Sequence, residues 1–186
     1  MIKMDDLEQQ LLTRARQWDT QALTEIFDQY SPGIYRFAMR RTGSSQQAED
    51  CVSETFQRFL LALQKNRLHI NTSLKAYLYR IAHNWIIDQY RHQPQLSQEL
   101  DENLANPQEI RVEITAAESI QKNALRDAIA LLPPQQQLVI SLRFLEDWSL
   151  EETSTATGKS IGAVKLLQNR GIKQLRQWLA TTEDEI

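Results

Sequence analysis

The sequence of 186 residues is poor in the residues that staple, bend or anchor a chain: one Cys, five Gly and five Pro. A lone Cys51 excludes an intramolecular disulfide and fits a reducing compartment. So few Gly and Pro leave little material for the tight turns of an all-β protein. No uninterrupted apolar run is longer than Phe59–Leu63, far shorter than the roughly 20 residues of a membrane-spanning helix. MIKMDDLEQQ has no apolar core of the signal-peptide kind, so none is expected. His69, His83 and His92 lack metal-ligand spacing with one another or with Cys51. There is no Gly-rich phosphate loop and no G-x-S-x-G. The expectation is a soluble cytoplasmic protein without cofactor, metal or catalytic site.

What is present is charge, unevenly placed. The formal net charge is −3, from 24 acids and 21 bases. Residues 1–29 carry three bases and six acids, and residues 30–92 carry nine bases and four acids. Residues 93–124 hold two bases and six acids; residues 125–186 hold seven and eight. Inside that last block, 158–178 has five bases and no acid. Two basic surfaces separated by an acidic segment point to a polyanionic partner that the overall charge conceals.

Apolar spacing predicts helices throughout. One covers Asp5–Gln17, a second starts near Thr20, and Pro32 is expected to open a third that ends before Gly43. AEDCVSETFQRFLLALQK is amphipathic, with Ala48, Val52, Thr55, Phe56, Phe59, Leu60 and Leu63 on one face. After the loop NRLHIN, LKAYLYRIAHNWIIDQYR directs Leu74, Leu78, Ile81 and Trp85 inward. Residues 1–92 therefore read as a helical bundle. Residues 93–118, with two prolines and six acids against one base, read as a flexible acidic linker. Its polar composition predicts two units with no substantial interface unless a partner clamps them.

Residues 119–182 form the second unit. SIQKNALRDAIALL ends at Pro133-Pro134, and a helix from Pro134 precedes the turn DWS. LEETSTAT, Gly158 and the acid-free segment then have the layout of a helix-turn-helix. At 100° per residue, Ile161, Val164, Leu167, Gly171, Leu175 and Trp178 share the inner face. Lys165, Asn169, Lys173 and Arg176 share the outer face, with Arg170 at its flank. Such side chains suit phosphates, guanine acceptors and an adenine edge.

Three stretches, AEDCVSETFQRF, YLYRIAHNWIIDQYR and LPPQQQLVISLRFLEDWSLEETSTATGKSIGAVK, occur in an order that resembles a bacterial RNA polymerase sigma factor of the extracytoplasmic-function group. The resemblance runs from about Ala22 to Leu179 and implies an all-α protein of two small domains, region 2 and region 4. It implies core RNA polymerase and promoter DNA as partners, with an anti-sigma factor as a further one. Polymerase docking is implied for the helix carrying Asp50, Ser53, Glu54, Gln57 and Leu61, although Ser53 stands where the family has Gln. Recognition of the −10 element is implied for Lys65, Arg67, Lys75, Tyr77, Arg80, His83, Asn84 and Arg91, with Tyr77 in place of the family's Trp. Tyr79 and Tyr90 are further stacking candidates. The −35 element is assigned to Lys165, Asn169, Arg170, Lys173 and Arg176. There the chain departs most: Thr153 and Ser154 replace Ile and Ala, and Leu167 and Ile172 replace basic residues. By the same resemblance the acidic linker passes through polymerase near template and nascent RNA.

Two other readings stand beside this one. A helix-turn-helix regulator would bind duplex DNA without polymerase, with the N-terminal bundle as a sensor. A sigma-like interaction protein would bind polymerase or an anti-sigma factor and no longer read DNA.

Overall fold

A computed structural model describes residues 6–66, 68, 73–92 and 116–183. Among these residues there are α-helices and one π-helical turn, and no strand. The N-terminal unit comprises α1 (Asp6–Arg16), α2 (Thr20–Thr42), α3 (Ser45–Gln64) and α4 (Leu74–His92). The C-terminal unit comprises α5 (Ala116–Leu131), α6 (Pro134–Ile140), the π turn Ser141–Leu145, α7 (Leu150–Thr157) and α8 (Ile161–Glu183). The segment read as a linker lies almost wholly outside the described residues; α5 begins at Ala116, three positions before the boundary expected.

Local chemistry explains the boundaries. Asp19 caps α2 by accepting from the backbone of Gln21 and Ala22, and Gly43, with φ 71°, closes it. Pro32 does not start a new helix, as the sequence suggested, but lies inside α2. It costs one backbone bond, toward the exposed Asp28 carbonyl, while Ile26, Ile34, Phe37 and Ala38 continue one buried face through it. The packing of that face keeps the helix continuous.

In α3 the expected inner face is buried except Leu60, which is exposed. Cys51 is buried among these residues, and burial pushes its thiol up to about 12, so it stays protonated at neutral pH. In α4 both Ile86 and Ile87 are buried, and so is His83.

The expectation of two non-contacting units is overturned. Leu138, Leu142, Trp148 and Ala156 of the C-terminal unit join the same apolar cluster as Phe37, Phe59, Leu78 and Trp85 of the N-terminal unit. Helix α4 packs on α7, and α2 packs on α5 and the π turn. The polarity of the linker does not decide docking. The apolar surface comes instead from second faces of α2 and α4, which a one-face periodicity count does not register. A smaller cluster, Ala128, Ile129, Leu132, Ile140 and Leu175, holds α5, α6 and α8 together.

Candidate nucleic-acid and polymerase interfaces

The helix-turn-helix is built by α7, Gly158 and α8. Ser149 and Glu152 form a reciprocal capping box at the start of α7. Gly158 ends α7 at φ 67°, a left-handed conformation that glycine adopts without strain. Val164 and Leu175 are buried beneath α8, while Ile161, expected on the same face, is exposed at the helix start. Gly171 allows α8 to approach α6 closely: a Cβ there would lie 2.9 Å from the Ile140 side chain. On the opposite face Lys165, Asn169, Arg170, Lys173 and Arg176 are all exposed. Asn169, Lys173 and Arg176 also line an open, shallow concavity.

On α3, Asp50, Ser53, Gln57 and Leu61 are exposed, opposite the buried stripe. Glu54 is half-buried and accepts from Arg58 Nε at 2.6 Å, an i,i+4 pair along the same face. A small groove between α2 and α3, lined by Phe27, Pro32, Tyr35, Val52 and Ser53, adjoins this surface.

On α4, Arg80, Asn84 and Arg91 are exposed, and Tyr77 is half-buried with Arg80 set over its ring at 5.7 Å. Lys65 is exposed at the end of α3, and Arg67 lies outside the described residues. His83, expected to supply positive charge, does not. It is buried, and burial together with the nearby Arg41 guanidinium pushes its imidazole down to about 3. Its Nε2 lies 3.1 Å from the Pro134 carbonyl, which can only accept, so Nε2 carries the hydrogen of a neutral ring.

The start of α4 is fastened to α1. The Glu8 carboxylate accepts from the Leu74 backbone N–H at 2.8 Å and from the Tyr30 hydroxyl at 3.3 Å. Arg16 donates to the Leu68 carbonyl at 3.1 Å. The N-terminal helix thus holds both described flanks of the connection between α3 and α4.

The contact between the units is a site the sequence did not announce. Arg41, 1% exposed, donates to Ser141 Oγ at 2.8 Å and to Gln137 Oε1 at 2.6 Å. Burial pushes its guanidinium down to about 10, still charged at neutral pH. Arg40 pairs with the Glu146 carboxylate at 2.7 Å and also donates to the Leu145 carbonyl. Trp148, 3% exposed, packs on Tyr79 with ring centroids 5.0 Å apart, and Lys75 Nζ lies 4.4 Å over the Trp148 ring. Of the two tyrosines considered for stacking, Tyr79 is thus covered, and Tyr90 donates to the Arg41 carbonyl at 2.5 Å. One signal was available: a tryptophan in the short polar turn DWS needs an apolar partner surface from elsewhere.

Comparisons with known proteins agree with this architecture. The Sigma-70 region 2 model matches residues 26–94, and the Sigma-70, region 4 model matches residues 128–177. The ECF RNA polymerase sigma factor BldN of Streptomyces coelicolor is 36% identical over 175 residues, covering 91% of this chain; the chain spans 65% of that relative's length. SigW of Bacillus subtilis, also an ECF RNA polymerase sigma factor, is 27% identical, with 95% of this chain and 98% of SigW covered. Among solved structures, CnrH in complex with the cytosolic domain of CnrY shares the fold, with a TM-score of 0.67 over 95% of this chain and 99% of that one, at 19% identity. With both regions matched in order on the two helical units, the chain belongs to the sigma-70 family of RNA polymerase sigma factors, in its extracytoplasmic-function group.

Proposed function

We propose that this chain is a sigma factor that binds core RNA polymerase and directs it to specific promoters in the cytoplasm, without catalysis of its own. The observation that carries this reading is the pairing, in one chain, of a region 2 bundle with a helix-turn-helix whose five outward side chains on α8 are all exposed. A stand-alone helix-turn-helix regulator has no need of the first unit's sigma pattern. An interaction protein that had stopped reading DNA has no need of an acid-free outer face on α8.

The N-terminal unit is assigned to core polymerase, through Asp50, Ser53, Glu54, Gln57 and Leu61, and to the −10 element, through Lys65, Arg67, Lys75, Tyr77, Arg80, Asn84 and Arg91. The C-terminal unit is assigned to the −35 element. No described helix is long and apolar enough to cross a membrane. Two structural neighbours are complexes, CnrH with the cytosolic domain of CnrY and the sigma factor RpoE with the anti-sigma factor NepR. An anti-sigma partner is accordingly part of the proposal.

The test is a pull-down with core polymerase followed by promoter-dependent transcription in vitro. Asp50→Arg with Glu54→Arg should abolish core capture while circular dichroism stays native; unchanged capture sinks the docking assignment. In holoenzyme, Lys165→Ala and Arg176→Ala should each lower the salt slope of promoter binding by about one. Asn169→Ala should cost roughly 1–3 kcal/mol at one base pair and little at the others.

A further inference from the structure

We propose that Glu8 and Arg16 of α1 are positioning residues for recognition of the −10 element: from the two ends of one helix they fix the direction in which the chain leaves α3 and enters α4. The inference deepens the reading of the chain as a sigma factor and rests on it. Both residues precede the stretch 26–94 that matches the region 2 model, so they lie outside the matched pattern.

At the start of α4, α1 supplies an acceptor. The first backbone N–H groups of a helix have no partner inside it. Ser73 Oγ accepts from the Ala76 N–H at 3.4 Å, and Glu8 Oε1 accepts from the Leu74 N–H at 2.8 Å. The first turn of α4 has no acid of its own. The negative charge that suits a helix N-terminus is therefore brought from α1. Tyr30 of α2 steadies that carboxylate, its hydroxyl donating to the same oxygen at 3.3 Å. Burial and the nearby Glu8 charge raise the Tyr30 pKa, so the hydroxyl keeps the proton it donates.

At the end of α3, α1 supplies a donor. Asn66 turns the chain at φ 49°, a left-handed conformation that Asn tolerates better than most residues. Its N–H donates to the Leu63 carbonyl at 3.0 Å. Leu68 follows, 5% exposed, and Arg16 donates to its carbonyl at 3.1 Å.

Leu68 and Leu74 are thus each held twice, and the two holds differ in kind. Their side chains belong to the same deep cluster, which fixes where the two residues sit. The bonds from α1 act on the backbone and fix how the adjoining peptide planes are turned. Glu8, Leu12 and Arg16 lie at i, i+4 and i+8 along α1, and the buried Leu12 seats the middle of that row in the core. One helix therefore presents an anion to an N–H and a cation to a carbonyl, about two turns apart, as a single rigid part. The peptide planes it orients lead to residues assigned to the −10 element, Lys65 at the end of α3 and Lys75 and Tyr77 in the first turn of α4. A recognition site works when its side chains are held within about 0.5 Å of their productive places. Loss of the α1 bonds leaves both leucines buried, so the fold and core capture persist while the reading side chains lose their aim.

The experiment uses holoenzyme carrying the full-length chain, on a promoter that it transcribes and on copies of that promoter with one −10 or one −35 base pair replaced. Permanganate reactivity of unpaired thymines measures open complexes and gives a ratio of cognate to substituted promoter at each position. Glu8→Ala and Arg16→Ala should each lower the −10 ratios by about threefold to tenfold and leave the −35 ratios at their wild-type values. Glu8→Gln keeps an acceptor oxygen for the Leu74 N–H, and Arg16→Lys keeps a donor for the Leu68 carbonyl, so both should restore the −10 ratios. A merely stabilising role would lower open complexes on every promoter together and leave all ratios unmoved. Arg16 is exposed, so Arg16→Ala reads out even where Glu8→Ala loosens α1. Unchanged −10 ratios in Arg16→Ala overturn the proposal. So does a fall shared equally by the −35 ratios, or a Glu8→Gln variant as impaired as Glu8→Ala. The sigma reading itself fails by a different result: core polymerase with the wild-type chain transcribing no better than core alone.

Discussion

The two helical units hold themselves together in different ways. The N-terminal unit packs four helices around a single deep cluster in which Ala15, Ala22, Ile26, Ile34, Phe37, Leu74 and Leu78 are fully or almost fully inaccessible. The C-terminal unit divides its apolar residues. Ala128, Ile129, Leu132, Ile140 and Leu175 form a small core of their own, while Leu138, Leu142, Trp148 and Ala156 are spent on the neighbour. A unit of this size has little apolar surface to spare, so the closed form stabilises the C-terminal unit more than the N-terminal one. Opening then exposes Trp148 and Leu142 and hydrates Arg41, a buried cation held by neutral acceptors alone. A buried charge of that kind has low net value in the closed form, because its desolvation offsets much of its hydrogen bonding. The contact is therefore suited to being released.

The largest test of this asymmetry removes a residue from the deep core. Phe59→Ala should cost about 3–5 kcal/mol and lower the melting of the whole chain, since the C-terminal unit leans on the same cluster. If calorimetry instead shows the C-terminal transition unmoved, the two cores are energetically separate.

Acid should act next, through His83. Its folded value, about 3, lies below its ordinary 6.5, so between these limits only the unfolded or opened chain takes up the proton. Stability from this group is complete above pH 6.5 and falls as pH drops toward 3, reaching a loss of about 2 kcal/mol at pH 5. Thermal melts from pH 7.5 to 5 should follow that slope, and His83→Gln should flatten it. An identical slope in the variant would assign the effect to other groups.

The smallest effect is expected where nothing crowds the chain. Gly158→Ala meets no atom within 4 Å, so its only cost is the left-handed backbone at φ 67°, about 1 kcal/mol. Denaturant unfolding should show that loss in the C-terminal transition while ordinary core capture is retained. A loss several times larger would mean that the turn between α7 and α8 also supports the contact with α4.

What the sequence by itself determined is the part of the molecule written in local periodicity and short-range chemistry. The amphipathic stripe of α3, the capping of α7 by Ser149, the stop at Gly158 and the acid-free outer face of α8 all follow from residues within a few turns of one another. The motif order carried the family for the same reason, because the first two motifs each lie on one helix, α3 or α4, and the third follows consecutive short elements from α6 into α8. Only the tertiary structure decided the continuity of α2 through Pro32, the neutral burial of His83, and the use of Tyr79, Arg41 and Trp148 between the units. The last two depend on which second face of a helix meets a partner some 50 to 100 residues away. A period of 3.6 shows that a helix has a buried side; it does not show that a polar or aromatic side chain on another side will be covered too. Coverage of that kind is set by three-dimensional packing, where the desolvation of Arg41 and His83 is offset by acceptors that lie far away in the sequence.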